Sequence, residues 1–166
     1  TSTRAHSWIS FRDASSRTET QVAGSKTTMV IGAQSGWART TTTLTEFPAE
    51  ICERARARAR SNLYRVLKVL AEIDPETLSL DALEKLRGAL PNGERFELEI
   101  GEGGFPAALT IQSGGEELVM RYTDWTPSDG VAFAMRSTQI QAKPIDRHLG
   151  GFVLHEELED ELFQKP

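Results

Sequence analysis

Histidine and cysteine residues are the first places in this chain to look for catalytic or metal-binding chemistry. His148 and His155 stand seven positions apart, with Asp146 nearby. Metal sites on helices favour histidines four positions apart, and Gly150-Gly151 breaks any helical register between these two. Cys52 has no surrounding family motif, and a catalytic thiol needs a paired histidine. We therefore expect these groups to be structural and predict no metal site.

Two glycine-rich segments have the outline of known motifs but lack their defining residues. Residues 101–104, Gly-Glu-Gly-Gly, would need glycine at the sixth position of a dinucleotide fingerprint, where Pro106 stands, and no Walker lysine follows. Residues 32–36 contain Ser35 without glycine two positions away on either side, as a nucleophile elbow requires. Both segments are predicted to be turns. The chain is therefore expected to be non-enzymatic, with no catalytic residue and no cofactor.

Charge is divided unevenly along the chain. Residues 1–70 carry 11 basic and 5 acidic groups, whereas residues 71–166 carry 8 basic and 19 acidic groups, and the total is −5. Such asymmetry indicates either internal neutralisation or a charged partner. The densest acidic segment consists of Glu156, Glu157, Glu159, Asp160 and Glu161. It is either a solvated tail or part of a face that docks on a basic partner, where complementary charge speeds association.

An alternation of arginine with alanine marks residues 54–60, which contain Arg54, Arg56, Arg58 and Arg60. Such a run could bind phosphates. Nucleic-acid-binding domains usually add stacking aromatic residues or a groove-reading element, and Tyr64 is the only aromatic residue on this predicted helix. The run is therefore predicted to be solvated, or paired with the acidic second half, and no nucleic-acid partner is expected.

Size and composition favour one small globular domain. The chain has 166 residues, of which 39% are hydrophobic. No stretch approaches the roughly 18 consecutive apolar residues of a membrane span, and no signal peptide is visible. The single Cys52 excludes an internal disulfide. We expect a cytoplasmic protein that is monomeric when free and has no membrane partner.

The first half of the chain has the pattern of an antiparallel meander followed by a helix. Residues 7–47 contain about four short strands separated by turns, including a hairpin connection at Gly24-Ser25-Lys26. From Pro48 the apolar spacing becomes helical and predicts one long helix that ends near Ile73. Its predicted core face consists of Ile51, Ala55, Ala59, Leu63, Val66, Leu70 and Ile73.

The second half is predicted to contain a shorter helix and then more strands. Residues 78–90 have leucines at helical spacing after Ser79, a favourable capping residue. Residues 94–100 alternate apolar and charged side chains, as strands do, and a closing helix is predicted over residues 152–163. The order of elements predicts an α+β fold: a single domain over residues 1–166, with antiparallel β-meanders flanking a central long helix and a second shorter helix.

Aromatic residues near acidic segments are the predicted partner-binding groups, because a few aromatic anchors dominate most protein interfaces. The carboxylates at the C-terminus would form a rim that steers the encounter. The predicted partner-binding residues are Phe105, Tyr122, Asp124, Trp125, Glu156, Glu157 and Glu159.

Two segments resemble immunity proteins of bacterial polymorphic toxin systems. Gly36-Trp37, the threonine-rich strand and the long helix, within residues 20–75, resemble the actinobacterial type that neutralises secreted NAD-hydrolysing necrotizing toxins. Residues 101–112 resemble the Gly-Phe-Pro strand of a second immunity family, which blocks deaminase toxins. The resemblance implies an antitoxin that binds and blocks the active site of a cognate toxin domain, and no functional residue is carried over from either family.

Two other functions stay open at the level of the sequence. The first is a small-ligand-binding α+β domain or enzyme with a pocket in a curved sheet, lined by Trp8, Met29 and Trp37. The second is a nucleic-acid-binding module that uses the arginine-rich helix, whose affinity would fall steeply with salt.

Overall fold

The residues that the structure describes form an α+β fold with two antiparallel sheets and two α-helices, which confirms the predicted fold class. The computed structural model describes residues 4–81, 83–113, 115–128, 131–151, 153, 155 and 158–165. The chain divides into two compact units. The first unit comprises residues 1–65 and 155–166, and the second comprises residues 66–154. That the whole chain forms one domain stays a prediction.

The first unit contains a five-stranded meander in which each strand pairs with its neighbours in the chain. Its strands are β1 (Arg4–Ile9), β2 (Ser16–Val22), β3 (Ser25–Ile31), β4 (Gly36–Arg39) and β5 (Leu44–Glu46). The meander predicted for residues 7–47 is thus confirmed, with one strand more than expected. Ala23 and Gly24 connect β2 to β3 with positive φ angles, the geometry of a two-residue type I′ turn, so the predicted hairpin is also confirmed.

Two helices, α1 (Ala49–Arg60) and α2 (Leu63–Leu70), take the place of the single long helix predicted from Pro48 to Ile73. The chain leaves helical geometry at Ser61 and Asn62. The Asn62 side-chain oxygen accepts a hydrogen bond from the backbone N–H of Tyr64, 3.0 Å away. Such a bond caps the start of a new helix, which is why the helix is interrupted at this point.

The buried face of these helices differs from the predicted face at its beginning. Ala59, Leu63 and Val66 are buried, as predicted, whereas the remaining predicted core residues, Ala55, Leu70 and Ile73, are only half-buried. Ile51 is 42% exposed, and Cys52 is buried in its place. Gly36 on β4 explains why Cys52 is the buried residue. A Cβ at this position would lie only 2.8 Å from the Cys52 sulfur. Glycine therefore lets the Cys52 side of α1 approach the sheet closely.

The second unit contains a seven-stranded antiparallel meander, again paired in chain order. Its strands are β6 (Ser79–Leu80), β7 (Lys85–Ala89), β8 (Arg95–Ile100), β9 (Pro106–Ser113), β10 (Glu116–Ser128), β11 (Val131–Ile140) and β12 (Ile145–His148). Phe96 and Leu98 are buried while Arg95 and Glu99 are exposed, so the alternation predicted for this region is confirmed. Buried residues of the neighbouring strands, among them Leu109, Ile111 and Phe133, complete the core.

The helix predicted for residues 78–90 is wrong, because this segment forms β6, a turn and β7. The Asp81 carboxylate accepts hydrogen bonds from the backbone N–H groups of Leu83 and Lys85, at 2.8 and 3.1 Å. Aspartate stabilises turns through such local bonds. Pairing of β7 with β8, with Leu86 opposite Leu98, then outweighs the helical spacing of the leucines.

The closing helix predicted for residues 152–163 is also wrong in the part that the structure describes. That part contains a 3₁₀ turn, Asp160–Phe163, and Glu159 before it is extended. Like charges at helical spacing destabilise a helix, and this segment is rich in carboxylates. The backbone oxygen of Leu162 accepts a hydrogen bond of 3.2 Å from Arg17 on β2, which holds the turn against the sheet.

Within the described part of the chain, no helix is long and apolar enough to cross a membrane. The two α-helices have 12 and 8 residues, whereas a spanning helix needs about 20.

Candidate functional site

Phe105 and Trp125 form a stacked aromatic pair in the second unit. Their ring centroids are 5.2 Å apart and their planes are inclined by 14°. Phe105 immediately precedes β9, and Trp125 lies on β10, which pairs with β9. Phe105 is 39% exposed and Trp125 is half-buried. Two strands of one sheet thus present an ordered aromatic surface to solvent, and stacked rings of this kind contribute more than their buried area alone.

Asp124 gives β10 an unusual backbone conformation beside this pair. Its φ angle is +59°, a left-handed value that is uncommon for a residue other than glycine. The register with β11 is unchanged across it, since Thr123 lies opposite Arg136 and Trp125 lies opposite Ala134. The strand therefore turns locally without inserting a residue. Left-handed residues inside regular elements cluster at functional positions.

Unpaired carboxylates accompany the aromatic pair. Glu102 and Asp124 are exposed, and no basic group among the residues that the structure describes pairs with either of them. Residues 66–154 contain 8 basic and 14 acidic groups, a net charge of −6. The second unit can therefore offer aromatic contacts and negative charge from the same region.

A contrasting carboxylate of the same unit is fully engaged. Glu97 on β8 accepts hydrogen bonds of 2.7 Å each from Lys85 and Arg87 on β7. These two bonds, with that from Lys85 the stronger, hold the pKa of Glu97 below its ordinary value. Glu97 thus stabilises the β7–β8 pair.

The other predicted partner-binding residues are placed differently. Tyr122 is on β10 but only 8% exposed, so it belongs to the core of the second unit rather than to its surface. Glu159, in the first unit, is exposed and precedes the C-terminal 3₁₀ turn. Glu156 and Glu157 lie outside the described residues. Among the predicted residues that the structure describes, Phe105 and Trp125 are in contact, and Asp124 is next to Trp125 in β10.

The arginine run on α1 is only partly solvated. Arg56 donates a hydrogen bond of 2.9 Å to the backbone oxygen of Gly32 and also binds Glu53. Arg60 binds the same carboxylate at 2.6 Å, and these contacts, with that of Arg60 the stronger, lower the pKa of Glu53. Only Arg54 and Arg58 are exposed. Arg56 therefore attaches α1 to the loop at Gly32, and Arg60 is engaged within the helix itself.

A cleft of about 370 Å³ lies on one face of the five-stranded sheet, within the first unit. Arg17, Thr28, Trp37 and Arg39 line it from β2, β3 and β4, and the strand register places all four on the same face. The opposite wall comes from the C-terminal segment, which supplies Glu161, Gln164 and Lys165. None of these residues was among the predicted partner-binding groups.

Two of the basic groups that line the cleft, Arg17 and Lys165, are already ion-paired with carboxylates. The guanidinium of Arg17 binds Glu19 through two nitrogens, at 2.7 and 3.2 Å. Hydrogen bonds from Lys26 and then Arg17 hold the pKa of Glu19 below its ordinary value. Lys165 binds Glu46 on β5, and this contact lowers the pKa of Glu46. These pairs fix the walls of the cleft, and Glu19 is shared between Arg17 and Lys26.

Three other groups on the cleft wall have unused bonding capacity. Arg39 and Glu161 are exposed, and neither is ion-paired with any described residue or with the other. Trp37 is 4% exposed, and its indole Nε1 has no hydrogen-bond partner within the described ranges. A guanidinium and a carboxylate can together bind a ligand that carries both charges.

The pocket suggested by Trp8, Met29 and Trp37 is corrected by the strand register. Trp8 and Trp37 lie on one face of the first sheet, whereas Met29 alternates with Val30 and lies on the other. Trp8 stacks on His6, with ring centroids 4.1 Å apart. The cleft therefore includes only Trp37 of the three.

Among the described residues, no group of three or more histidine, cysteine, aspartate or glutamate side chains is arranged to hold a metal ion. Cys52 is buried, and its thiol faces the backbone oxygen of Phe47 at 3.9 Å.

No protein-family model, curated protein or solved structure matches this chain. The resemblance of residues 20–75 and 101–112 to immunity proteins thus depends on sequence pattern alone.

Proposed function

We propose that this chain is a non-enzymatic immunity protein, which binds a cognate bacterial toxin domain and blocks its active site. The observation that carries the proposal is the solvent-reaching Phe105–Trp125 stack beside the unpaired carboxylates of Glu102 and Asp124. The inhibitor would act as a cytoplasmic monomer and would need no cofactor.

The aromatic pair has the properties of a binding anchor. Tryptophan and other aromatic residues are enriched among the few residues that dominate interface energies. Trp125 lies opposite Ala134 on paired strands and Phe105 stacks on it, so little conformational entropy would be lost when a partner covers them. A rigid aromatic surface of this kind suits insertion into a preformed pocket such as an enzyme active site.

The charge of the second unit favours a partner with a basic cleft. Enzymes that act on nucleic acids or on NAD bind negatively charged phosphates, so their clefts carry basic residues. Glu102 and Asp124 could pair with such residues and exclude the substrate. Complementary charge of this kind raises association rates and disfavours wrong partners.

The nucleic-acid alternative is less well supported by the arrangement of α1. Arg56 and Arg60 are engaged by Glu53, and Arg56 also binds the backbone of Gly32. Arg54 and Arg58 alone would give few phosphate contacts, and affinity for DNA rises with the number of such contacts.

Co-expression with the toxin domain encoded beside its gene tests the proposal. We expect the toxin domain alone to kill the cells, the full chain to protect them, and the two proteins to purify as a complex. A Phe105→Ala, Trp125→Ala variant should protect poorly. Trp8→Ala, which removes a half-buried tryptophan of the first unit, is the matched control and should protect normally.

Two results would contradict the proposal. Cells would die despite the wild-type chain, with no complex at micromolar concentration. Alternatively, the double variant would protect as well as the wild type at equal expression.

A further inference from the structure

We propose that the cleft of the first unit binds a small zwitterion of the α-amino acid class, with the ligand carboxylate on Arg39 and its ammonium group on Glu161. This site is separate from the aromatic pair and does not depend on the immunity function.

The two unpaired charges of the cleft determine the class of ligand. Arg39 and Glu161 have opposite signs, line the same cleft and are not ion-paired with each other. A guanidinium offers two parallel N–H donors to a carboxylate, and a carboxylate accepts from an ammonium group. A simple anion would be repelled by Glu161 and a simple cation by Arg39, whereas an α-amino acid satisfies both.

Two further basic groups line the cleft, and each is held by a carboxylate. Arg17 binds Glu19, which also binds Lys26, and Lys165 binds Glu46. The lining groups without an ion-pair partner among the described residues are therefore Arg39 and Glu161, one positive and one negative, which favours a ligand that carries both charges.

Thr28, Trp37 and Gln164 complete the lining of the cleft. Thr28 and Gln164 offer further polar contacts beside Arg39 and Glu161. Trp37 is 4% exposed and its Nε1 is covered by the surrounding protein, so its resonance would report occupancy of the cleft without a direct bond to the ligand.

Both walls of the cleft are held in place, as a binding site requires. Thr28 and Arg39 lie opposite each other on paired strands. The C-terminal segment is attached by the bond from Arg17 to the Leu162 oxygen and by the ion pair of Arg12 with Asp160, at 3.2 and 2.6 Å. The volume of about 370 Å³ is within the range of small-molecule sites.

The indole resonances of the full chain provide a direct test. The protein has three tryptophans, so the Trp37 signal of ¹⁵N-labelled protein can be assigned with Trp8→Phe and Trp125→Phe. The probes are the twenty α-amino acids, their N-acetyl derivatives and inorganic phosphate. We expect at least one free amino acid to shift the Trp37 resonance saturably below about 10 mM, and its N-acetyl derivative not to do so.

Two charge-neutral variants distinguish a zwitterion site from an anion site. Arg39→Gln and Glu161→Gln should each weaken amino acid binding by about tenfold or more, because each removes one charge-assisted contact. Arg54→Gln and Glu50→Gln, exposed positions on α1 outside the cleft, are the controls and should bind like the wild type. The inference is overturned if no amino acid shifts the resonance at about 10 mM, or if phosphate binds instead and Glu161→Gln tightens it.

Discussion

Leu63 shows how strongly a single buried side chain of the helical region should matter. It is 2% exposed at the start of α2, while Arg58 on α1 is exposed. Replacing a buried leucine by alanine removes apolar contacts and leaves a cavity.

We predict that Leu63→Ala lowers the free energy of unfolding by about 2–5 kcal/mol, and that Arg58→Ala changes it by less than about 0.5 kcal/mol. Urea denaturation of the two variants beside the wild type measures both values. Equal losses would mean that the register of the helices is wrong.

The same residues show what apolar spacing can and cannot predict. Ala59, Leu63 and Val66 follow a regular helical stripe, and the sequence identified them correctly as buried. At the start of α1, Ile51 and Cys52 are adjacent, and spacing alone favoured Ile51. The choice depends on Gly36, whose missing Cβ makes room for the Cys52 sulfur, and a contact between distant positions has no signal in local periodicity.

At the scale of elements, the β7–β8 pair depends on a small charge network. Glu97 receives hydrogen bonds from Lys85 and Arg87, which lower its pKa from the ordinary value of 4.5. A carboxyl group with a depressed pKa stabilises the fold above its unfolded pKa, and this contribution is lost as the pH falls through the folded value.

We predict that Glu97→Gln destabilises the protein at pH 7 and that the difference from the wild type shrinks as the pH falls below 4.5. Urea denaturation over a series of pH values measures the difference. Glu117→Gln is the control, an exposed carboxylate of β10 with no ion-pair partner among the described residues. A Glu97→Gln deficit that is constant with pH would contradict the assignment.

Turn residues, and the alternation of apolar with polar side chains, made most strands predictable. Residues 78–90, however, carried two competing patterns. Leu80, Leu83 and Leu86 have helical spacing, which predicted a helix over residues 78–90. The informative signal was the alternation of residues 85–87, basic–leucine–basic, opposite residues 97–99, acidic–leucine–acidic. Cross-strand pairs of that kind stabilise sheets, but they are recognised only when the two segments are compared with each other.

The break between α1 and α2 was also present in the sequence. Serine and asparagine favour helix termini, and Ser61-Asn62 stands in the middle of the long helical pattern. The continuous apolar stripe on both sides hid this signal. The Asn62 cap on α2 decides the matter locally, because it satisfies backbone donors that would otherwise continue the first helix.

At the scale of the whole molecule, charge is distributed by unit rather than by half of the chain. The acidic C-terminal segment belongs to the first unit, where Asp160 pairs with Arg12. The first unit then has 11 basic and 10 acidic groups, and the second unit keeps a net charge of −6. Excess negative charge therefore belongs to the unit that carries the Phe105–Trp125 stack.

The two candidate sites differ in how far their residues are separated in sequence, and this decided how well each could be predicted. Phe105, Asp124 and Trp125 lie on or beside one hairpin, so local sequence was enough to group them. The cleft combines Arg39 of β4 with Glu161 of the C-terminal segment, which are distant in sequence. Only the folded chain brings these two residues to one site.

The dissociation rate of the complex between this protein and its toxin domain tests the proposed recognition surface most directly. For Trp125→Ala, surface-based kinetics should show dissociation about thirtyfold faster or more, a loss of about 2 kcal/mol, with little change in association. Trp8→Ala should leave both rates unchanged. A Trp125→Ala complex that dissociates as slowly as the wild type would contradict the account.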